Sequence, residues 1–271
     1  MKKEEFLEKL ETELKLIKKS ELTIRNYKYF ASKLLETANK DPEALTQDDV
    51  KKFLASMSDK ASSSIILAMA AIKFSTLKVL GKDLTANIER PKKEKALPSV
   101  LSREEVKKLI ESAETRKSRL IIQFLYSTGL RVSELVNLKK NDINFQEKTG
   151  IVRHGKGKKD RLFIFSEKIA NDLQEYLKEH PQNIYLFSQA EPLTTRNIQK
   201  IIKQAAQKAQ IQKKVTPHTL RHSYATHLLE SGTVIRLIQT LLGHENLNTT
   251  QIYTHVSTEE LKKIKNPLDE L

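Results

Sequence analysis

Cysteine is absent from all 271 residues, which excludes disulfide scaffolding, thiolate metal sites and cysteine nucleophiles. No apolar run reaches the roughly eighteen residues a membrane-crossing helix needs. The start, Met1-Lys2-Lys3-Glu4-Glu5-Phe6, lacks the apolar stretch of a signal peptide. Neither internal repeats nor low-complexity tracts interrupt the chain. A cytoplasmic protein with no membrane partner is the expectation.

What is present is positive charge. Lys and Arg number 48 against 34 Asp and Glu, a formal net charge of +14, with lysine spread along the whole chain. Such a field attracts polyanions, of which nucleic acid is the commonest. The plainer reading is a basic enzyme from a lysine-rich proteome. The hydrophobic content of 38% and charged content of 30% are ordinary for a globular protein. The length fits one generous core or two modest ones, and two are expected.

Periodicity predicts four helices in the first ninety residues. Phe6, Leu7, Leu10, Leu14 and Ile17 recur at helical spacing, as do Ile24, Tyr27, Ala31, Leu34 and Leu35. Thr46 reads as an N-cap leading into Phe53 and Leu54, and the apolar segment 64–80 stops at Gly81, a C-cap. Short connections between such helices make a bundle. The segment Pro91-Lys92-Lys93-Glu94-Lys95-Ala96-Leu97-Pro98-Ser99 is charged and bounded by prolines, which reads as a linker. The expected organisation is a helical domain over 1–90, a linker over 91–100 and a second domain over 101–271. Ser102-Arg103-Glu104-Glu105 opens the second domain with a capping-box pattern. This domain is expected to be mostly helical, with a hairpin of 150–154 and 161–165 around a glycine-rich basic tip, 155–160. Helices are expected at 167–179, 194–209, 217–231, 233–242 and about 247–255. Glu259 to Lys265 suggests one more short helix.

The chemistry concentrates in a few short strings. Thr216-Pro217-His218-Thr219-Leu220-Arg221-His222 is followed by Leu242-Gly243-His244 and by Thr249-Thr250-Gln251-Ile252-Tyr253-Thr254-His255. Upstream stand Arg131, in Thr128-Gly129-Leu130-Arg131-Val132-Ser133-Glu134-Leu135, and Lys156, in Gly155-Lys156-Gly157. Cleaving a phosphodiester without a metal requires fixed cations on the non-bridging oxygens, where transition-state charge accumulates. Arginine suits this, with a planar fork and a permanent charge; Arg131 and Arg221 are the candidates and His244 can add a donor. Tyr253 can attack if a base or a cationic surround activates it, and His218, three residues before Arg221, sits on the same helical face to take a proton. Lys156 on a basic hairpin can protonate a departing oxygen.

Each residue also has a plainer reading. The hairpin tip can be a solvated turn or a phosphate contact, Tyr253 a packed aromatic, and Arg131 a partner of Glu134. His218 and His222 at i, i+4 could pair on a metal, but the zinc-protease pattern requires Glu where Thr219 stands. No metal and no cofactor is expected.

Taken together, these strings resemble the tyrosine recombinase (phage-integrase) family, and in particular its Xer branch. The resemblance covers nearly the whole chain, and 218, 221, 244 and 253 follow at the family's intervals. It implies an N-terminal four-helix core-binding (SAM-like) bundle and a C-terminal α+β catalytic domain with a small antiparallel sheet, mainly α overall. Ser20, Thr23 and Tyr27 resemble the opening of the family's core-binding domain; Leu35 departs from it where an aromatic is usual.

The resemblance implies a site-specific recombinase that cuts and rejoins double-stranded DNA at an inverted-repeat site. Tyr253 would form a 3′-phosphotyrosine bond. Arg131, Arg221 and His244 would stabilise the transition state, Lys156 would act as acid, and His218 would assist proton removal. Glu134 would orient the first arginine, and His222 would take a structural or supporting part. Assembly would be a dimer or tetramer on DNA passing through a Holliday junction, with a DNA-translocase motor or accessory protein as a further partner.

Within this resemblance, chromosome or plasmid dimer resolution is expected ahead of integration of a mobile element, because nothing resembles an arm-binding domain. The same strings also fit an inactive DNA-binding homologue or a type IB topoisomerase. The tail beyond Tyr253 can dock on a neighbouring subunit or fold back on its own domain.

Overall fold

The computed structural model describes residues 1–92, 99–153, 160–243 and 264–271, and the chain divides into two units, Met1–Ala96 and Leu97–Leu271. The architecture is mainly helical with one small antiparallel sheet.

The first unit is built from α1 (Lys3–Leu16), α2 (Glu21–Ala38), α3 (Gln47–Ala55) and α4 (Ser62–Leu80). Phe6, Leu10 and Leu14 form one buried stripe of α1, and Ile24, Ala31, Leu34 and Leu35 form that of α2. Leu35, in place of an aromatic, is 4% exposed and fills the core. The Thr46 hydroxyl accepts from the Asp49 N–H, and the Asp49 carboxylate accepts in return from the Thr46 N–H, so the first turn of α3 is capped from both sides. Gly81 ends α4 in the left-handed region at φ +69.

α4 departs from the sequence reading: by length and composition alone it is apolar enough to cross a membrane, with a mean hydropathy of 1.6. Here it is a bundle helix. Ala68, Met69 and Ile72 are buried with the side chains of α1, α2 and α3, and Tyr27 meets Phe74 edge-on at 5.8 Å.

In the second unit the Ser102–Glu105 capping box opens α5 (Arg103–Glu111). α6 (Arg116–Thr128) is the central helix, touching α5 and, further along the chain, the strand Arg161–Ile164 and the helices Glu167–Glu179, Thr195–Lys208 and Pro217–Glu230. Residues 120–128 are all buried, and each fully buried large apolar side chain contributes about 1.5–3 kcal/mol. After α7 (Val132–Asn137) come β1 (Ile143–Asn144), β2 (Thr149–Val152) and β3 (Arg161–Ile164), antiparallel in the order β1-β2-β3. Gly150 pairs with Phe163, and a Cβ on Gly150 would lie 2.3 Å from the ring, so glycine lets the ring cover the strand. The expected hairpin strands are therefore present; 154–159 at their tip lie outside the described residues.

α8 (Glu167–Glu179), α9 (Thr195–Lys208), α10 (Pro217–Glu230) and α11 (Ile235–Leu242) follow. The helix expected near 247–255 lies outside the described residues, as does most of 259–265. The end of the chain folds back on its own unit. The Asn266 amide donates to the Ser127 carbonyl at 2.7 Å, Leu268 is 1% exposed, and Asp269 accepts from the Ser166 hydroxyl and, at 3.3 Å, from the Lys168 N–H. Pro267 opens a 3-10 turn, Pro267–Glu270, beyond the short helix expected over 259–265.

Candidate active site

The site begins at the glycine that ends α6. Gly129 has φ +59, and a Cβ there would lie 2.6 Å from both Leu242 Cδ2 and Tyr224 Cδ1. Its bareness lets α6, α10 and α11 converge at one point. Two residues on, Arg131 is the N-cap of α7. Its N–H donates to Glu134 Oε2 at 2.7 Å, its Nη1 donates to Glu134 Oε1 at 2.8 Å, and its Nη2 donates to the Gly243 carbonyl at 3.2 Å. The pairing of Arg131 with Glu134 that the sequence left open is thus real, yet Arg131 keeps a quarter of its side chain exposed, at 24%.

Arg221 reaches the same point from α10. The residue is 5% exposed; its Nη1 donates to the Gly129 carbonyl at 2.5 Å and its Nη2 donates to the Leu242 carbonyl. A third guanidinium, unforeseen as a site residue, enters from β3. Arg161 Nη2 donates to Glu134 Oε2 at 2.6 Å, and its Nη1 donates to the Leu241 carbonyl.

Three consecutive carbonyls, Leu241, Leu242 and Gly243, are therefore held by three arginines from three different elements. The last carbonyls of a helix have no intrahelical partner and carry the negative end of its dipole, so α11 offers a natural seat for cations. Gly243 suits that seat twice over. Its φ of +62 closes α11, and a Cβ there would lie 2.7 Å from Arg161 Cδ.

One buried carboxylate thus faces three guanidiniums. Burial pushes the Glu134 carboxyl up, but the Arg161 charge and the hydrogen bonds from Arg131 and Arg161 more than offset it, leaving it below its ordinary value. Burial, together with the charges of Arg131 and Arg161, pushes the Arg221 guanidinium down to about 9, so it stays cationic at neutral pH. The cluster carries an excess of positive charge in a desolvated setting, which favours an anion.

His218 and His222 lie on the first turns of α10, which Thr216 caps and Pro217 starts. Both are exposed, whereas Arg221 between them turns inward. Burial, then the neighbouring His218 and Arg221, lowers the proton affinity of His222. The described residues contain no group of three His, Asp or Glu able to hold a metal ion. Lys156, His244 and Tyr253 lie outside the described residues; Gly243 is the last described position before the latter two. Arg161 carried a faint signal in the sequence: in a strand it alternates in phase with Phe163 and Phe165, both core residues.

Comparison with known proteins places the chain in a family. The profile described as "Phage integrase family" matches residues 99–260, and "Phage integrase, N-terminal SAM-like domain" matches 6–86. Tyrosine recombinase XerA of Pyrococcus horikoshii is 42% identical over 268 residues, covering 96% of this chain and 92% of the relative. A crystal structure of XerA recombinase is 37% identical, covers 96% of each chain and superposes with a TM-score of 0.53. A lambda integrase dimer bound to a core site shares the fold at a TM-score of 0.76 and 20% identity, covering 93% of this chain and all of that one. The chain belongs to the phage integrase family, among its tyrosine recombinases.

Proposed function

We propose that this protein is a site-specific recombinase of the Xer type, working on duplex DNA at an inverted-repeat site and resolving chromosome or plasmid dimers in the cytoplasm. The observation that carries this reading is the meeting of Arg131 and Arg221, ninety positions apart, on adjacent carbonyls at the end of α11. That end leads directly into the segment holding His244 and Tyr253.

In this reading the scissile phosphate sits on Arg131, Arg221 and His244, whose donors match the non-bridging oxygens as they gain charge. The Tyr253 hydroxyl attacks phosphorus, and His218 assists removal of its proton. The bond to the 5′ oxygen breaks, and Lys156 delivers a proton to that oxygen as it leaves. The products are a 3′-phosphotyrosine and a free 5′-hydroxyl. A 5′-hydroxyl of the partner strand then reverses the step, so bond energy is kept in the protein–DNA ester and no cofactor is consumed. Glu134 orients Arg131, and His222 supports the start of α10. Complete exchange requires a tetramer on DNA through a Holliday junction, with a translocase motor or accessory protein as regulator. Integration of a mobile element uses the same chemistry and differs in its sites.

Suicide substrates with a nick near the cleavage point test this. The wild type is expected to accumulate covalent protein–DNA adduct, and Tyr253→Phe none. Lys156→Ala is expected to stall on ordinary DNA and recover on a 5′-bridging phosphorothiolate, whose leaving group needs no proton. Equal behaviour of wild type and Tyr253→Phe contradicts the enzyme reading, and lack of rescue makes Lys156 a phosphate contact.

A further inference from the structure

We infer that Arg161 is a positioning residue of the cleavage site, locking Glu134, and through it Arg131, onto the C-terminal carbonyls of α11. The inference rests on the recombinase reading above and adds a residue to it. Arg161, like Arg131, bonds both the Glu134 carboxylate and the end of α11 that leads to Tyr253. It also opens β3, immediately after the hairpin tip that carries Lys156. One guanidinium on β3 therefore joins the carboxylate of α7 to the end of α11.

The geometry is specific to arginine. Its two Nη groups point to acceptors on different elements, Glu134 Oε2 at 2.6 Å and the Leu241 carbonyl, which a single ammonium cannot reproduce. Its stem lies against Gly243, the one residue type there that leaves it room. With 12% of its side chain exposed, Arg161 packs between Glu134 and the end of α11, and its part is to fix Arg131.

The charge balance makes this testable beyond folding. Glu134 faces Arg131 from its own helix, Arg161 from β3 and Arg221 from α10. Removing Arg161 takes away the charge that chiefly offsets burial, so the carboxyl would take up a proton at higher pH. Neutral Glu134 releases Arg131, and cleavage acquires an acid limb.

The experiment measures single-turnover cleavage of a nicked suicide duplex against pH for the wild type, Arg161→Ala and Arg161→Lys, alongside DNA affinity and thermal unfolding. Both variants are expected to bind DNA within about threefold of the wild type, since phosphate contacts elsewhere dominate affinity. Cleavage is expected to fall about 100-fold, the scale of a small misplacement of a reacting group. Arg161→Ala should show the new acid limb and partial rescue by added methylguanidine. Arg161→Lys keeps the charge, so it should be slow without the limb. Cleavage within about threefold of wild type, or a loss matching the unfolded fraction with neither limb nor rescue, overturns the inference.

If the wild type itself forms no adduct, the recombinase reading falls. The position of Arg161 is then read from the 13C-carboxyl titration of Glu134, which must move to higher pH in Arg161→Ala and stay in place in Arg161→Lys; an unmoved titration in Arg161→Ala refutes the placement.

Discussion

Glu134→Gln isolates the balance at the centre of the site. Glu134 is 8% exposed and takes three N–H groups, two from Arg131 and one from Arg161. The amide keeps the shape of the carboxylate but loses its charge and turns an NH2 group toward one guanidinium. Removing one partner of a buried ion pair costs about 3–5 kcal/mol; an amide oxygen that still accepts part of the set reduces this to about 2–4 kcal/mol. For a unit of this size each kcal/mol corresponds to about 2–4 °C, so the expected fall in Tm is about 5–15 °C.

The pH dependence has a definite sign. A carboxyl held below its ordinary value stabilises the fold above that ordinary value, and the contribution disappears as pH falls through the lowered one. The wild-type advantage over Glu134→Gln should therefore be full at neutral pH and shrink in acid. Calorimetry of the full chain at several pH values measures both quantities. A fall in Tm below about 2 °C at neutral pH, or a difference that persists unchanged into acid, refutes the argument that Glu134 binds the arginines as an anion.

Four further outcomes follow from this cluster and from the core beside it. Gly243→Ala places a methyl 2.7 Å from Arg161 Cδ at φ +62 and should cost about 1–3 kcal/mol by denaturant unfolding, with slowed cleavage. Vanadate or sulfate should offset the burial and the Arg131 and Arg161 charges that depress Arg221 and stabilise the fold by mass action, about 1.4 kcal/mol at tenfold excess over Kd; an equal rise in Tm in Arg221→Ala would show bulk salt instead. Tyr126→Phe removes the 2.8 Å hydrogen bond to His227 Nδ1 in the core and should cost about 1–2 kcal/mol. Burial first of all lowers the His227 proton affinity, so this histidine's part in stability is lost as pH falls below the ordinary histidine value, a dependence His227→Gln should abolish on thermal melts.

Much of the fold was legible in the sequence because local chemistry dictated it. Thr46, Ser102 and Thr216 cap helices with their own side chains, and Gly81 ends one because only a glycine takes the left-handed turn without strain. Alternation and glycine placement marked β2 and β3. The short β1, Ile143–Asn144, escaped because two residues carry no period. α4 misled in a different way: its apolar residues surround the helix, so periodicity understates how far it resembles a membrane span.

The arginine cluster was half legible. Motif context marked Arg131 and Arg221, but Arg161 acts through contacts to Glu134 and a helix end that no spacing encodes. His218 and Arg221 were expected on one face, and the structure separates them into an exposed histidine and a buried arginine, because Arg221 is drawn inward by the carbonyls of Gly129 and Leu242. The tail was open between two docks until Asn266 and Leu268 placed its end on its own unit.

The most direct test of the central claim maps the covalent adduct. The wild-type chain is incubated with a nicked inverted-repeat duplex, digested with protease and nuclease, and sequenced by mass spectrometry. The account predicts a 3′-nucleotide on Tyr253, abolished in Tyr253→Phe and in Arg221→Ala. Adduct on another residue, or cleavage that leaves no adduct, would contradict it.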